Sequence, residues 1–296
     1  MLTELYRRYI PKSLRDRIYQ FCLKEILYAY RSSKEYIYAK STLYLPFLFP
    51  KTEKTKAYAF VGRHGRTMYP DDYSLKYKSI AVDVNKNEDN NLYYVIHKGK
   101  KLYFPRFFDE KQTKELYLSL IIEQDESCPH RYVRNYSDLK GKVLLDIGAA
   151  EGIFSLDTIE YTSQTYLFEC ESYWIEALEA TFEPWKDKIQ IIRKYVGSDT
   201  SDSEVSLDSF CDGKSIKNVF IKMDIEGAEL DALKGAKGVL ENEVAFSICV
   251  YHKQDDLKNI AAILDQYNYK YEVPQGLLYV MNQMRHGIIR SLNTAN

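Results

Sequence analysis

The fold of this chain is decided by residues 146–152, which read Asp-Ile-Gly-Ala-Ala-Glu-Gly. An apolar run, residues 143–145, comes directly before this segment, and residues typical of a helix follow it. A buried strand that ends in an acid and continues into a turn of small residues brings backbone N–H groups close to a ligand. The segment therefore predicts a ligand-binding turn between a strand and a helix of an α/β fold.

The spacing of this turn distinguishes between two cofactors. The dinucleotide fingerprint is G-x-G-x-x-G, whereas this chain has D-x-G-x-A-x-G. A helix N-terminus binds the pyrophosphate of NAD. In S-adenosylmethionine (SAM) it meets only a carboxylate, and a nearby acid can hold the ammonium group. The spacing favours SAM, and the predicted cofactor contacts in the turn are Asp146, Gly148, Ala149, Ala150 and Gly152.

A second acid supports a nucleotide-like cofactor. Glu169 ends the next predicted strand and follows the first acid at close to the ~20-residue interval at which an acid accepts ribose hydroxyls in such folds. Ser198, in the loop after the third strand, and Asp224, after the fourth, are further predicted cofactor contacts. In an open α/β sheet the ligand lies beyond the carboxyl ends of the strands, where all of these residues are expected.

Residues 221–229, which read Ile-Lys-Met-Asp-Ile-Glu-Gly-Ala-Glu, and residues 233–236, Leu-Lys-Gly-Ala, resemble the signature of FkbM-type SAM-dependent methyltransferases. The turn at 146–152, the strand end at 168–171 and residues 249–252 fit the same family. The resemblance covers roughly residues 115–282. It implies the class I SAM-dependent methyltransferase fold, a Rossmann-like, mostly parallel sheet with helices on both faces, preceded by an N-terminal α+β extension.

The order of the predicted elements agrees with this fold, because strands and helices alternate from residue 142 onward. Core strands are predicted at 143–147, 165–169, 189–193, 218–223 and 244–250. Before the core, the sequence predicts a β-rich stretch over 57–108 with a hairpin at 92–97 and 101–104, followed by a helix over 110–123. A closing hairpin over 269–273 and 277–280 is expected to form the antiparallel end of the sheet.

Three domains are predicted from these patterns. They are a basic helical N-terminal extension over 1–56, a β-hairpin and helix region over 57–135, and a SAM-binding methyltransferase domain over 136–296.

Methyl transfer from a sulfonium is an in-line displacement, so the enzyme chiefly positions the reactants. A hydroxyl acceptor also has to lose a proton, which a well-placed base accelerates ~10²–10⁴-fold. His252, after the fifth strand, is the leading base, and Asp224 is its rival. These two residues and Glu226 also form a possible Mg²⁺ or Mn²⁺ site.

Other polar residues are expected near the acceptor. His130 and Tyr132 lie on the segment that leads into the first core strand, and Tyr251 follows the fifth strand, so these three are predicted to contact the substrate. Lys222 interrupts an apolar strand, and a buried lysine is rare unless it is paired. We therefore expect Lys222 to form an ion pair near the cofactor.

Composition limits the partners. The net charge of −1 argues against nucleic acid. Residues 1–66, however, contain 14 Lys or Arg against 5 Asp or Glu, which allows peripheral docking of this basic segment. Five cysteines without a C-x-x-C pair indicate reduced thiols and a cytoplasmic protein. No apolar run has the ~20 residues of a membrane span. The sequence leaves the oligomeric state open.

The predicted activity is SAM-dependent O-methylation of a sugar hydroxyl in a glycan or a secondary metabolite, which the family resemblance implies. Two alternatives remain at this point. One is an NAD-dependent sugar oxidoreductase, which the spacing of the turn opposes. The other is a non-catalytic SAM-fold scaffold protein, which acids at the successive strand ends oppose.

Overall fold

The structure is a computed structural model that describes residues 34–214 and 217–292. The chain divides into two compact units, residues 1–70 with 279–284 and residues 71–278 with 285–296. The helices predicted before residue 34 lie outside the described residues. No helix in the described ranges is both long and apolar enough to cross a membrane.

The described part of the first unit contains two helices, α1 over residues 34–44 and α2 over Glu53–His64. The β-rich prediction is wrong for residues 57–64. Ala57, Tyr58, Phe60 and Val61 lie on one face of α2 and are buried, which is helical spacing and not the alternation of a strand. The helices touch closely at Gly62, where a Cβ atom would lie 2.4 Å from the carbonyl oxygen of Ala39.

The second unit contains a seven-stranded sheet. Its strand order is β11-β14-β10-β9-β4-β5-β6. These strands are β4 Val143–Ile147, β5 Gln164–Phe168, β6 Ile189–Ile192, β9 Val219–Met223, β10 Ala245–Cys249, β11 Tyr271–Glu272 and β14 Ile288–Ser291. Neighbours from β6 to β10 are parallel, and β14 is antiparallel to both β10 and β11. The five predicted core strands and the class I methyltransferase fold are thus confirmed.

Smaller strand groups accompany this sheet. They are the three-stranded sheet of β1 Val84–Lys86, β2 Tyr93–His97 and β3 Lys100–Tyr103, the pair β7 Tyr195–Val196 and β8 Glu204–Val205, and the pair β12 Leu278–Val280 and β13 Gln283–Arg285. The hairpin predicted at 92–97 and 101–104 corresponds to β2 and β3, which pair antiparallel.

The helices of the second unit are mostly short. They are α3 Glu110–Glu123, α4 Ile153–Thr158, α5 Ser172–Phe182, α6 Leu207–Cys211, α7 Glu229–Lys234, α8 Lys237–Leu240 and α9 Asp256–Gln266. The 3-10 turns among the described residues of both units are Pro46–Leu48, Asp72–Ser79, Tyr136–Leu139 and Glu183–Trp185. Helix α3 has the predicted bounds, because the Asp109 side chain caps the amide of Gln112 at 2.7 Å.

The sheet has a hydrophobic core on each face. Leu167 and Phe168 are neighbours on β5, so their side chains point to opposite faces, and they belong to different core clusters. One cluster includes residues of α6 to α9, and the other includes residues of α3 to α5. Strands β9 and β10 are buried along their whole length, as expected for parallel strands covered on both sides.

The closing hairpin was predicted incorrectly. The strand that enters the sheet beside β10 is β14. Of the predicted residues 277–280, Leu278–Val280 form β12, which pairs with β13. Met281 and Asn282 both have positive φ angles, 49° and 61°, as a two-residue hairpin turn requires. The Pro-Gln-Gly segment at 274–276 led to the prediction of a hairpin turn before β12, whereas the turn of the observed hairpin follows β12, at residues 281–282.

Candidate active site

A cleft of about 270 Å³ opens at the carboxyl ends of β4, β5 and β9. It is lined by Ile147, Gly148, Ala150, Phe168, Glu169, Cys170, Glu171, Tyr173, Trp174, Lys194, Tyr195, Val196, Asp224, Ile225, Glu226 and Ala228. Its volume is close to the lower end of the range for small-molecule sites, ~300–1,000 Å³. The walls are largely apolar, and three of the predicted acids, Glu169, Asp224 and Glu226, are among the lining residues.

Gly148 holds two loops of the cleft together. Its φ angle is +77°, and a Cβ atom there would lie 1.9 Å from the backbone oxygen of Asp224. Glycine is therefore required by the contact between the β4 and β9 loops, in addition to any approach of a ligand. Gly152 also has a positive φ, and its missing side chain leaves room for Leu178 and Phe182 of α5.

The amides of the turn are already partly engaged. Gly148 and Ala149 donate to the carbonyl oxygen of Phe168 at 3.0 and 3.1 Å. Ala150 donates to Oε2 of Glu169 at 2.9 Å, and Glu171 donates to Oε1 at 2.8 Å. These two bonds fix the Glu169 carboxylate at the edge of the cleft, with lone pairs left for a hydroxyl ligand.

Lys222 and Asp146 form a buried ion pair beneath the turn, with Nζ 3.0 Å from Oδ1. Ser155 donates to the other Asp146 oxygen at 2.6 Å. The ammonium also donates to the carbonyl of Gly148 and lies 5.3 Å from the ring centroid of Tyr132. Burial lowers the pKa of Lys222, but the carboxylates of Asp146 and then Asp224 outweigh it, so the pKa is raised and the lysine stays charged.

The predicted pairing of Lys222 is thus confirmed, and its partner is the first acid of the turn. Asp146 is only 1% exposed and does not line the cleft. In this arrangement Asp146 stabilises the turn through its buried ion pair with Lys222.

Asp224 is the centre of the polar groups. The Tyr132 hydroxyl donates to Oδ2 at 2.8 Å, and the Tyr251 hydroxyl donates to Oδ1 at 3.3 Å. Burial raises the pKa of Asp224, but the opposing effect of Lys222, followed by those of His130 and His252, is larger. The net pKa of Asp224 therefore lies below its usual range. Asp224 is therefore a carboxylate at neutral pH, presented at the edge of the cleft.

His252 lies between three carboxyl groups. Its Nδ1 is 2.9 Å from Oε1 of Glu229, and its Nε2 is 3.4 Å from Asp224 and 3.6 Å from Glu226. Burial lowers the pKa of His252, whereas Glu229, Asp224 and Glu226 raise it, and the net shift is upward. The Glu226 side chain is 92% exposed, so its contact with the imidazole is screened by solvent.

Glu229 was not predicted as a site residue. It is fully buried, and its Oε1 also accepts the amide of Ile225 at 3.0 Å, which closes the turn after β9. In the sequence it occupies the first turn of α7, where the helix dipole favours an acid without any contact to a site. Its position three residues after Glu226 gave no sign that it would reach an imidazole on another strand.

His130 is fully buried behind this group of side chains. Its Nε2 lies 3.8 Å from Asp224 and its Nδ1 3.4 Å from Glu123. Burial lowers its pKa, but Glu123 and Asp224 raise it, so the net pKa is above the usual value. The structure therefore brings together all three predicted substrate residues, His130, Tyr132 and Tyr251, around Asp224. None of these three is among the residues that line the cleft.

The predicted cofactor residues divide into two groups. Gly148, Ala150, Glu169 and Asp224 line the cleft, whereas Asp146, Ala149, Gly152 and Ser198 do not. Ser198 hydrogen-bonds Asp231 and Asp199 instead. The cleft wall beyond β6 is formed by residues 194–196, which sequence reasoning missed because the strand ends before them, at Ile192. Aromatic residues of α5, Tyr173 and Trp174, complete it.

Two groups of side chains have the spacing of metal ligands, within the ranges that the structure describes. The first is Asp224, Glu229 and His252, so Glu229 stands where Glu226 was predicted. The second is His130, Asp224 and Cys249. Burial raises the pKa of the Cys249 thiol well above its usual value, and a thiol binds metal as the thiolate. The second group is therefore poorly suited to a metal.

Comparison with known proteins bears on this site. Residues 190–271 match the family model of the methyltransferase FkbM domain. This match confirms the predicted resemblance to FkbM-type methyltransferases and supports a methyltransferase with SAM as its methyl donor. Among proteins of curated function, none matched the chain.

Several solved structures are similar in fold. A methyltransferase FkbM from Methylobacillus flagellatus KT is 21% identical with a TM-score of 0.42, and the alignment covers 63% of this chain and 56% of that one. Fibrillarin, a pre-rRNA processing protein from Methanococcus jannaschii, is 13% identical with a TM-score of 0.38, covering 71% and 96%. Precorrin-6y C5,15-methyltransferase from Geobacter metallireducens GS-15 is 13% identical with a TM-score of 0.35, covering 52% and 82%.

Proposed function

We propose that this chain, which carries the FkbM methyltransferase signature over residues 190–271, transfers a methyl group from SAM to a hydroxyl of a sugar, in a glycan or a secondary metabolite. The observation that supports this most directly is the contact between His252 and Asp224 at the edge of a cleft that also presents Glu169. The cleft is thus lined by the proposed ribose-binding acid, Glu169, and by Asp224, the carboxylate that contacts the proposed base, while His252 itself is buried and is not among the lining residues.

The cleft residues fit SAM. Glu169 has its carboxylate held by two backbone amides and can accept the ribose hydroxyls, a role for which charged hydrogen bonds are worth ~1.5–3 kcal/mol each. Apolar and aromatic side chains, among them Phe168, Trp174 and Val196, offer a surface for a base ring. The Asp224 carboxylate, which also lines the cleft, can pair with the ammonium group or the sulfonium charge. SAM supplies an electrophilic methyl carbon.

His252 is the proposed general base. With SAM bound, the acceptor oxygen would attack the methyl carbon, the bond from that carbon to sulfur would break to release S-adenosylhomocysteine, and the hydroxyl proton would pass to Nε2 of His252. The imidazolium formed would lie beside Asp224, Glu226 and Glu229. These carboxyl groups stabilise the charged ring, which is why the pKa of His252 is raised. Tyr132 and Tyr251 donate to Asp224 and hold it in place, and their contact with the acceptor remains a part of this proposal.

A metal ion is the alternative role of these residues. Asp224, Glu229 and His252 could bind Mg²⁺ or Mn²⁺ with acceptor oxygens completing the shell. We favour the base, because Mg²⁺ sites draw on carboxylates and waters more than on imidazole.

Binding and turnover separate this proposal from its rivals. We expect calorimetric titration to show SAM binding and no NAD binding, and a screen of nucleotide sugars and glycan fragments with labelled SAM to yield a methylated product. NAD binding without SAM binding would favour an oxidoreductase. SAM binding without turnover on any acceptor, with SAM affinity unchanged in His252→Ala, would favour a scaffold. Transfer to RNA would contradict the further expectation, drawn from the net charge of −1, that nucleic acid is not the acceptor.

The proposal includes location and docking. Four of the cysteines, Cys128, Cys170, Cys211 and Cys249, are free thiols, which supports a reducing, cytoplasmic setting. The surplus of Lys and Arg over residues 1–66 supports peripheral docking, and Phe47 and Leu48 in the same region are 79% and 63% exposed. Co-sedimentation with anionic vesicles that is lost at high salt is the expected result.

A further inference from the structure

Exposed apolar side chains are concentrated in the first unit, away from the residues of the candidate active site. Large apolar side chains are exposed at fourteen positions in the described part of the chain, and six of these positions fall within residues 36–48. Single exposed apolar residues are ordinary, whereas a dense group of them marks a surface that contacts another molecule. Residues 44–49, which read Tyr-Leu-Pro-Phe-Leu-Phe, are called the apolar turn below.

The apolar turn is an ordered part of the first unit and joins α1 to α2. The amide of Leu45 donates to the carbonyl of Ser41 at 2.8 Å, and the amide of Leu48 donates to the carbonyl of Leu45 at 3.0 Å. The Phe49 ring packs edge-on against the ring of Tyr38, with 5.3 Å between the centroids, and fastens the turn to α1. The exposed side chains of the turn are therefore displayed by an ordered backbone.

Lysines lie beside the apolar turn. A groove of about 440 Å³ is bordered by the turn and by the first half of α2, and its lining includes Pro46 and Phe49 of the turn together with Lys51 and Lys56. Residues 36–66 contain six Lys or Arg against one Asp or Glu. An apolar surface and a surplus of positive charge therefore occur side by side in the same unit.

The charge of this surface selects its occupant. Residues 1–33 contain seven Lys or Arg against three Asp or Glu, so the segment that precedes α1 has the same sign of charge and is repelled by the surface. A second copy of the surface would be repelled for the same reason. An anionic lipid bilayer has the complementary charge, and it also offers a hydrocarbon layer in which apolar side chains are buried.

We propose that the apolar turn inserts into the surface of an anionic lipid bilayer. Phe47 and Leu48 reach the boundary between headgroups and acyl chains, and Lys51 and Lys54 pair with lipid phosphates. Amphipathic elements bury their apolar side ~5–10 Å into this boundary. The inference rests on the peripheral docking proposed above and identifies the residues that carry it. Charge brings the first unit to the lipid, and the turn enters it. SAM binding and methyl transfer are not required.

The test measures partition of the full chain onto vesicles by co-sedimentation, without SAM or acceptor. Vesicles of equal parts phosphatidylcholine and phosphatidylglycerol are compared with vesicles of phosphatidylcholine alone. One variant combines Phe47→Ser with Leu48→Ser, and another combines Lys51→Gln with Lys54→Gln. The matched control is Phe107→Ser in the second unit, where the side chain is 63% exposed, as Leu48 is. Thermal melts establish that each variant is folded.

We expect wild type and Phe107→Ser to bind the anionic vesicles equally, and to bind the phosphatidylcholine vesicles far more weakly. The paired serine variant should bind the anionic vesicles about tenfold more weakly or worse, because two apolar side chains are no longer buried in lipid. The paired glutamine variant should lose about 5- to 30-fold, since each lysine near an anionic surface contributes to the attraction.

Insertion itself is measured with Phe47→Trp and vesicles that contain lipid brominated in its acyl chains. This variant should show quenching beyond that of wild type, in which Trp174 and Trp185 of the second unit set the baseline. Quenching no greater than in wild type, which is also expected if residues 1–33 or a second copy cover the turn, would overturn the insertion. So would equal partition of wild type and the paired serine variant.

The outcomes separate this inference from the proposals on which it builds. Binding of wild type that depends on Lys51 and Lys54 but not on Phe47 and Leu48 would leave electrostatic docking in place and overturn only insertion. Absence of wild-type binding to the anionic vesicles would overturn docking and insertion together. A failed SAM titration would overturn only the methyltransferase function, because vesicle binding is measured without SAM.

Discussion

Oε1 of Glu229 lies 2.9 Å from Nδ1 of His252 and accepts the backbone amide of Ile225 at 3.0 Å. One buried carboxyl group thus closes the turn after β9 and contacts the imidazole that follows β10. The opposite ring nitrogen, Nε2, lies 3.4 Å from Asp224, which lines the cleft. Because Glu229 contacts Nδ1, we propose it as the positioning residue of His252, with Nε2 as the nitrogen that meets the acceptor.

We predict that Glu229→Gln moves the pH profile of turnover. His252 acts as a base only when it is neutral, so the rate rises with pH through the pKa of His252, which in the folded protein is above its usual value. Loss of the Glu229 charge lowers that pKa and moves the rising limb to lower pH. His252→Ala should lose ~10²–10⁴ in turnover with SAM affinity retained.

Glu226→Gln is the matched control for this prediction, because Glu226 lies 3.6 Å from the other ring nitrogen, Nε2, and its side chain is 92% exposed. It should move the limb far less. A profile that is unchanged in Glu229→Gln, or that moves to higher pH, would show that the buried carboxyl group does not control the base.

Metal removal gives a separate prediction. With His252 as a base, EDTA should leave turnover unchanged. Loss of activity in EDTA that Mg²⁺ or Mn²⁺ restores would instead identify Asp224, Glu229 and His252 as ligands, and Asp224→Ala would then resemble the chelated enzyme. Indifference to EDTA together with retained turnover in His252→Ala would leave Asp224 as the remaining base.

Sequence patterns predicted the core strands and the acids at their ends because hydrophobic period and turn chemistry are local properties. They did not predict that Asp146 pairs with Lys222 under the turn, or that Glu229 reaches His252, because these contacts join residues from different strands. The closing strand was misplaced for a related reason. A turn at 274–276 and a turn at 281–282 are both compatible with the local sequence, and only the pairing of β14 with β10 decides between them.

Cofactor affinity should depend on Glu169. We expect Glu169→Ala to weaken SAM binding by at least tenfold, because hydrogen bonds from ribose hydroxyls to a carboxylate are lost, each worth ~1.5–3 kcal/mol. Turnover at saturating SAM should change much less. Calorimetry measures the first quantity and labelled-SAM assays the second, with the exposed Glu183→Ala as control. An unchanged dissociation constant with lost turnover would move Glu169 to the acceptor site.

Stability should separate two glycines that both have positive φ angles. Gly148→Ala places a Cβ 1.9 Å from the Asp224 carbonyl oxygen, whereas Gly141→Ala, at φ +72°, meets nothing within 4 Å. We expect Gly141→Ala to reduce the free energy of unfolding by roughly 1 kcal/mol from backbone strain alone. Gly148→Ala should lose roughly 2–4 kcal/mol, because strain and overlap act together. Equal losses in urea unfolding would show that the two loops separate easily.

The last prediction concerns Glu151, which is 8% exposed within the turn at 146–152. Burial, followed by repulsion from Glu123, raises its pKa from the usual value of 4.5 to about 8. A raised pKa means that the folded protein holds this proton more tightly than the unfolded chain. Its contribution to stability is present in full below pH 4.5 and is lost as the pH rises to about 8. Glu151→Gln keeps the shape of the neutral acid but cannot ionise. The free energy of unfolding of the variant, relative to that of wild type, should therefore increase by roughly 2–4 kcal/mol between pH 5 and pH 9. Urea unfolding across this range measures the gain, and the exposed Glu241→Gln, which should follow wild type at every pH, is the control. A difference between wild type and Glu151→Gln that does not vary with pH would mean that Glu151 is already ionised in the folded protein.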